Sequence, residues 1–218
     1  MSDDCVFVVD DDADIRDSMR VLLEVAGFKV RTFTSAKQFL ADDHAKHGCL
    51  IADVRMPDMS GLELQQELNR RGAVIPVIFA TGVAEIPVAV EAMQHGAFDY
   101  LQKPISQEDL LDRVRRALSF DATTRASLLE RRQAEERFES LTEREREILG
   151  MVVSGLSNKE AAARMKLSAR TVEIHRAHIM NKLHASSLSD LVRIVLVAED
   201  GEGPPMAVGG KTKLPRMA

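Results

Sequence analysis

The stretch CLIADVRMPD, from Cys49 to Asp58, decides how the first half of the chain is interpreted. Its apolar run, Leu50–Ala52, predicts a buried strand, and that strand ends in Asp53. A buried strand has little reason to finish in a charge unless the charge works at its end. The stretch CVFVVDDDAD, from Cys5 to Asp14, repeats the pattern with three successive aspartates. The two stretches together predict a metal or phosphate site where the strands end.

Short apolar runs alternate with helical patterns up to about residue 120. The predicted strands are Val6–Val9, Val30–Phe33, Leu50–Ala52, Val74–Ala80 and Phe98–Leu101. Helical spacing is found in the segment with Ile15, Met19, Leu22 and Leu23, and in Ala36–Leu40, Gly61–Arg70, Val88–His95 and Gln107–Leu118. This alternation predicts an α/β fold, a doubly wound five-stranded parallel sheet with helices on both faces. Ligands of such sheets bind at the carboxyl ends of the strands, where Asp10, Asp11 and Asp53 fall.

Charge divides the 218-residue chain into two parts with different expected partners. Residues 1–120 hold 13 basic and 20 acidic side chains, whereas residues 141–198 hold nine and six. Residues 121–140 form a polar, helix-prone linker that is able to extend the fifth helix, and residues 199–218 are expected to be disordered. No apolar run approaches the roughly 20 residues that span a bilayer, and the acidic N-terminus lacks a signal peptide's basic start. A cytoplasmic protein with no membrane partner is predicted.

Two further side chains are expected to join the aspartates. Thr81 ends the fourth predicted strand, in VIFAT, and Lys103 follows the fifth, in FDYLQKP. Because parallel strand ends open onto one edge, carboxylates, a hydroxyl and an amine converge there, as a phosphoryl group on Asp53 needs. Clustered carboxylates also indicate a hard cation such as Mg²⁺. The alternative for Asp10–Asp12 taken alone is a set of solvated loop carboxylates.

Residues 5–120 resemble a two-component receiver domain. The resemblance is carried in order by Asp10-Asp11, DVRMPDMSG around Asp53, ATG at Thr81, and GAFDYLQKP with Lys103-Pro104. It implies that a sensor histidine kinase transfers phosphate to Asp53. It also implies that Lys103 pairs with the phosphoryl oxygens after a cis Lys103-Pro104 bond, and that Thr81 hydrogen-bonds one of them.

The same resemblance implies a magnesium site. Its ligands would be Asp11, Asp53 and the backbone carbonyl of Arg55, with Asp10 acting through water. A phosphatase of the haloacid dehalogenase kind also uses a nucleophilic aspartate, but it needs a second aspartate two positions on. Arg55 stands there, so that alternative is excluded.

The resemblance further implies a switch built from Thr81 and Tyr100, although Tyr100 also suits a plain core or rim aromatic. The stretch EIPVAVEAMQHGAFDYLQKP, residues 85–104, resembles the FixJ-like branch of the family. In that branch the fourth helix and fifth strand form a dimer face that depends on phosphorylation.

The pattern after Leu141 is purely helical. Thr142 as N-cap and Glu145 three residues later have the spacing of a capping box. The buried stripe of this helix is predicted at Ile148, Leu149, Val152 and Val153. A short helix, a turn at Lys166–Ser168 and a longer helix capped by Ser168 follow. On the longer helix the predicted core positions are Val172, Ile179 and Leu183, and the outer positions are Arg170, Glu173, Ile174, Ala177 and Asn181.

These are the parts of a helix-turn-helix, although periodicity alone suits a bundle with solvated charges equally well. LTEREREIL, GLSNKEAAARM and LSARTVEIHRAHIMNKL resemble the LuxR-type helix-turn-helix of NarL/FixJ regulators. The resemblance implies that Ala169–Leu183 enters the major groove. The implied base-facing residues are Glu173, Ile174 and Ala177, and the implied phosphate contacts are Asn158, Lys159, Thr171, Arg176 and Lys182. The last helix, Ser187–Val197, is a dimer face in this family; burial within its own domain is the alternative.

The chain is therefore identified by resemblance as a transcriptional regulator and not an enzyme. Phosphorylation of Asp53 is expected to promote formation of a homodimer and binding to promoter DNA, with Mg²⁺ as cofactor and RNA polymerase as a further candidate partner. Two alternatives stay open. One is a regulator whose DNA binding ignores phosphate, and the other is a phosphorelay or scaffold protein whose helical domain binds protein.

Overall fold

The computed structural model of the chain describes residues 4–42, 47–82 and 93–199. Its strands are β1 (Cys5–Val9), β2 (Lys29–Phe33), β3 (Gly48–Asp53), β4 (Val77–Thr81) and β5 (Asp99–Gln102). Its helices, numbered along the described residues, are α1 (Ala13–Val25), α2 (Ala36–Leu40), α3 (Gly61–Arg70), α4 (Gln107–Glu139), α5 (Glu143–Val153), α6 (Asn158–Met165), α7 (Ala169–Lys182) and α8 (Leu188–Glu199). Two compact units divide between Arg125 and Ala126.

The first unit contains the predicted parallel sheet. The strand order is β2-β1-β3-β4-β5, and every neighbouring pair is parallel. The register brings the ends of neighbouring strands to within one residue of each other, in the pairs Val9 with Ala52, Asp53 with Ala80, and Thr81 with Gln102. The prediction of a doubly wound sheet is confirmed, and the strand ends share one edge.

Side chains of the sheet point alternately to two faces, each with its own core. Phe7 and Val9 of β1 belong to one cluster, with Phe39 and Phe79. Val6 and Val8 belong to the other, which also contains residues from α1 and α4 such as Leu23, Leu110 and Val114. Buried faces on both sides explain why β1, β3 and β4 are almost continuously apolar.

Two element boundaries differ from the sequence prediction. β4 begins at Val77 and not at Val74, because Pro76 has no amide hydrogen to donate to a strand ladder. α4 does not stop at Leu118 but runs to Glu139 through the predicted linker, as the sequence left open. Ion pairs four residues apart, such as Arg131 with Glu135, support a helix in this polar stretch. The predicted helix at 88–95 lies mostly outside the described residues. So does the tail predicted at 199–218, except that Glu199 belongs to α8 and is not disordered.

The second unit has a core made by α5, α6, α7 and α8, together with Ala134 of α4. The predicted buried positions Ile148, Leu149, Val152, Val172, Ile179 and Leu183 are all buried, whereas Val153 is only partly so. Thr142 and Glu145 form the predicted capping box, and Ser168 caps α7. The predicted turn separates α6 from α7, and Lys166 in it has φ 54°. None of the described helices combines the length and apolarity needed to cross a bilayer.

Candidate functional site

Asp53 ends β3 next to Asp10, which follows β1, and both carboxylates are buried. Asp53 is 9% exposed and Asp10 is 2% exposed. The turn after β3 returns to this point, since Gly61 N donates to the carbonyl of Val54 at 3.0 Å. A Cβ at Gly61 would stand 2.3 Å from the Asp53 carbonyl oxygen, so only glycine fits without moving the strand end.

Lys103 joins the two carboxylates. Its Nζ donates to Asp53 Oδ1 at 2.5 Å and to Asp10 Oδ2 at 3.0 Å. The main chain holds the lysine in place, because Lys103 N donates to the Thr81 carbonyl at 2.7 Å. The Lys103-Pro104 bond is cis, as predicted. One ammonium group therefore links Asp10 and Asp53 at the shared strand edge.

The remaining oxygen of each carboxylate accepts a backbone amide. Asp12 N donates to Asp10 Oδ1 at 2.9 Å, and Arg55 N donates to Asp53 Oδ2 at 2.7 Å. Each carboxylate oxygen of Asp10 and Asp53 thus accepts a hydrogen bond, and these bonds fix the orientation of both side chains. The hydrogen bond from its amide places Arg55 beside the Asp53 carboxylate. Coordination of a metal by the Arg55 carbonyl stays a prediction.

Burial and the shared ammonium set the acid-base behaviour of the site. Burial raises the pKa of the Asp53 carboxyl, and the Lys103 hydrogen bond opposes that rise. Burial acts to lower the pKa of Lys103, but its hydrogen bonds to Asp53 and Asp10 outweigh burial and leave the pKa raised. Lys103 consequently stays charged at neutral pH and offers a fixed cation beside Asp53.

The oxygen atoms at this edge suit a hard cation as ligands. They are oxygens of Asp10 and Asp53, and Asp11 follows with an exposed side chain. Within the described ranges, no three His, Cys, Asp or Glu side chains are already assembled around one point. Mg²⁺ takes only one or two carboxylates and keeps several waters, so the residues present fit this ion.

The two predicted switch residues lie on neighbouring strands. Thr81 ends β4 and is 3% exposed, and its hydroxyl donates to the Gly82 carbonyl at 3.3 Å. Tyr100, on β5, is 42% exposed, so it is not a core aromatic. The Arg113 guanidinium donates to the Tyr100 carbonyl at 3.2 Å. A concerted movement of the two side chains remains a prediction.

The outer face of α7 is exposed where the sequence predicted it. Glu173, Ile174 and Ala177 lie at the surface, and Ile174 is 46% exposed. Arg170 forms an ion pair with Glu173 at 2.9 Å, one turn apart on the same helix. This face carries the implied base-reading residues without using them for packing.

The implied phosphate contacts divide into two kinds. Lys159 is exposed at the start of α6. Asn158 and Arg176 bind each other across α6 and α7, with Arg176 Nη1 donating to Asn158 Oδ1 at 2.9 Å. The Thr171 hydroxyl pairs with Ser168 Oγ at 2.8 Å. These side chains already have partners within the unit, whereas Lys159 projects from it.

Lys182 has a partner that the sequence did not suggest. Its Nζ donates to Glu145 Oε2 at 2.6 Å and to the Ser140 carbonyl at 3.2 Å. Burial acts to raise the pKa of Glu145, but hydrogen bonds from Lys182 and Thr142 outweigh it and lower the pKa to about 2. Sequence analysis found Glu145 only as a capping residue, since periodicity gives no signal for a pair 37 positions apart.

The apolar residues of α8 divide between core and surface. Leu191 and Val195 are buried in their own unit, and Ile194 joins them. Leu188 and Leu196 are 48% and 55% exposed. One side of α8 is therefore buried within its own domain. The other side carries the exposed leucines and is available for a dimer contact.

Two family models match the chain in the order of its two units. A model described as the response regulator receiver domain matches residues 6–115. A second, described as bacterial regulatory proteins of the luxR family, matches residues 139–195. The chain belongs to the NarL/FixJ family of response regulators. It is a two-component response regulator that joins a receiver domain to a LuxR-type DNA-binding domain.

Relatives of this response regulator match it over most of their own length. The transcriptional regulatory protein TdiR of Thauera aromatica is 44% identical over 192 residues, covering 88% of this chain and 85% of that protein. FixJ of Azorhizobium caulinodans is 44% identical over 194 residues, covering 88% and 92%. The solved structure of the response regulator StyR has a TM-score of 0.82 at 42% identity, covering 89% of this chain and 98% of that one.

Proposed function

We propose that the regulator accepts phosphate on Asp53 from a sensor histidine kinase, and that the phosphorylated form dimerises and binds promoter DNA. The observation that carries the proposal is the Lys103 ammonium shared by Asp53 and Asp10, at 2.5 and 3.0 Å. A nucleophilic carboxylate beside a fixed cation is the arrangement that phosphoryl transfer needs. A kinase partner and promoter DNA imply that the protein works in the cytoplasm.

The transfer forms one bond and breaks one. An oxygen of Asp53 bonds to phosphorus as the phosphorus–nitrogen bond to the kinase histidine breaks, and the electron pair stays on the imidazole nitrogen. Lys103 stabilises the charge on the phosphoryl oxygens, and the Thr81 hydroxyl is placed to hydrogen-bond one of them. Asp11, Asp53 and the Arg55 carbonyl, with Asp10 acting through water, would hold Mg²⁺, and the ion would supply charge neutralisation at the phosphoryl group.

DNA binding is assigned to the helix-turn-helix of α6 and α7. With α7 in the major groove, Glu173, Ile174 and Ala177 face the bases, where a glutamate can accept from cytosine N4 and an isoleucine can contact a thymine methyl. Lys159 is an exposed cation that can contact the phosphates. The implied contacts Asn158, Thr171, Arg176 and Lys182 lie on the same two helices, and each also has a partner within the unit.

Phosphate capture is tested with acetyl phosphate and Mg²⁺ on a gel that retards phosphoproteins. Wild type is expected to give one retarded band and Asp53→Asn none. Asp58→Asn is the matched control, because Asp58 is an exposed aspartate in the loop after β3. Retardation that persists in Asp53→Asn would refute the assignment of the phosphoacceptor.

The second part of the proposal is tested with generic DNA at low salt. A helix-turn-helix is expected to bind it through phosphate contacts, and the affinity is expected to fall steeply with salt. A protein-binding scaffold domain would not bind it. Binding that is equally strong with and without a phosphoryl mimic would favour a regulator whose DNA binding ignores phosphate.

A further inference from the structure

Arg16, in the first turn of α1, contacts the main chain of the phosphoacceptor site. Its Nη1 donates to the carbonyl oxygen of Asp10 at 2.7 Å. Its own amide donates to the Asp12 carbonyl at 3.1 Å, which ties the residue to the start of the helix. The side chain therefore reaches back from α1 to the residue that follows β1.

This contact completes the set of bonds that fixes Asp10. The amide of Asp10 donates to the Phe33 carbonyl at 3.3 Å, and its Oδ1 accepts from Asp12 N at 2.9 Å. Its Oδ2 accepts from Lys103, and its carbonyl accepts from Arg16. Every polar atom of this buried residue is held, two of them by side-chain cations.

The charge of Arg16 suits its place. Asp10, Asp11, Asp12 and Asp14 lie close in sequence, and Asp53 joins them in space. A guanidinium group remains charged at every physiological pH and keeps its N–H donors in a fixed planar arrangement. It can therefore offset the repulsion among these carboxylates and donate to a carbonyl at the same time. An apolar side chain of similar length, such as methionine, would do neither.

We propose that Arg16 is a positioning residue of the phosphoacceptor site: it fixes the main chain of Asp10, and through it the carboxylate that shares Lys103 with Asp53. The proposal rests on the proposed function. Without Arg16, the Asp10 carboxylate loses one of its anchors, so both Mg²⁺ affinity and phosphoryl transfer are expected to suffer.

The first test compares Arg16→Met with Arg20→Met in the full chain. Arg20 is the matched control, because it lies one turn further along α1 and forms ion pairs with the exposed side chains of Asp17 and Glu24. The shift of the thermal midpoint with MgCl₂ concentration gives the Mg²⁺ affinity. Arg16→Met is expected to weaken it about tenfold, which is about 1.4 kcal/mol, and to slow phosphorylation by acetyl phosphate. Arg20→Met is expected to match wild type.

The second test asks whether Arg16 acts through Asp10. In an Asp10→Asn background, Arg16→Met is expected to cause little further loss of Mg²⁺ affinity, because residues that act through one another are not additive. Arg16→Lys keeps a charge and a donor, so it is expected to recover much of the loss. A purely structural arginine would lower stability alike in both backgrounds.

The outcomes separate this proposal from the proposed function. If wild type shows no phosphorylation that depends on Mg²⁺, both fail together. If wild type is phosphorylated and Arg16→Met behaves like Arg20→Met, the role of Arg16 is overturned while the function stands. An equal loss in the wild-type and Asp10→Asn backgrounds would also overturn it.

Discussion

At the scale of single residues, the close approach of Gly61 to Asp53 gives the first prediction. A Cβ there would meet the Asp53 carbonyl oxygen at 2.3 Å and a ring carbon of Phe79 at 2.9 Å. Gly61→Ala is expected to lower the free energy of unfolding by about 1–3 kcal/mol through overpacking, and to slow phosphorylation of Asp53. Urea denaturation and the acetyl phosphate assay measure the two effects.

Gly150 provides the control, because a Cβ at this helical position meets nothing within 4 Å. Gly150→Ala is expected to be neutral or to stabilise the chain by about 0.5–1 kcal/mol. A Gly61→Ala protein with wild-type stability and phosphorylation would show that the turn after β3 does not constrain the site.

The pair of Glu145 and Lys182 gives a prediction about pH. The pKa of Glu145 is lowered in the folded chain to about 2, so its contribution to stability is present above its ordinary pKa of 4.5. That contribution is lost as the pH falls from there towards 2. Glu145→Gln is expected to cost about 1 kcal/mol at pH 6, with a smaller cost near pH 3.

Urea unfolding of the full chain at a series of pH values measures this dependence. Glu143→Gln is the matched control, because Glu143 is an exposed acid in the same first turn of α5. If the cost of Glu145→Gln does not change between pH 6 and pH 3, the ion pair is not the source of the acid sensitivity.

The residues that sequence analysis found and missed differ in a physical way. Asp10, Asp53, Thr81 and Lys103 were predicted to converge, because parallel strand ends share an edge and each residue ends or follows a strand. The hydrogen bond from Arg16 to the Asp10 carbonyl was not predictable, since it depends on a long side chain that folds back from α1 towards the end of β1. Local patterns report which face a residue is on, not how far its side chain reaches.

At the scale of elements, the helix-turn-helix carries a prediction that separates affinity from specificity. Lys159→Ala is expected to weaken binding to all DNA sequences and to lower the slope of log affinity against log salt by about 1. Glu173→Ala is expected to leave that slope unchanged and to alter base preference. Salt titrations and selection from a random DNA pool measure these two properties.

Unchanged base preference in Glu173→Ala would mean that α7 lies differently in the groove. The same salt titration decides the role of Lys182, which the structure pairs with Glu145. If Lys182 serves the fold, Lys182→Ala lowers stability while the salt slope stays near wild type. A lower salt slope in Lys182→Ala would instead show that Lys182 contacts phosphate.

Element boundaries were less predictable than element types. The alternation of strands and helices identified the sheet, and caps such as Ser168 marked helix starts correctly. The start of β4 was placed early because Val74 and Ile75 are as apolar as the strand they precede. The extension of α4 to Glu139 depends on charge pairing along a polar helix, which apolar periodicity does not detect.

At the scale of the whole molecule, the proposed control depends on joining two copies. One helix-turn-helix on one half-site binds weakly, but a dimer raises the effective concentration of the second domain at the second half-site. A modest free energy of dimerisation is then enough to switch occupancy of a promoter. Phosphate on Asp53 has only to favour the dimer, and it need not alter the DNA-binding surface itself.

The most direct measurement is the solution mass by light scattering, with Mg²⁺ and beryllofluoride as a phosphoryl mimic, for wild type and Asp53→Asn. The predicted result is a dimer in wild type alone and a monomer in the variant under the same conditions. An unchanged mass in both proteins, or an equal increase in both, would contradict control of assembly through Asp53.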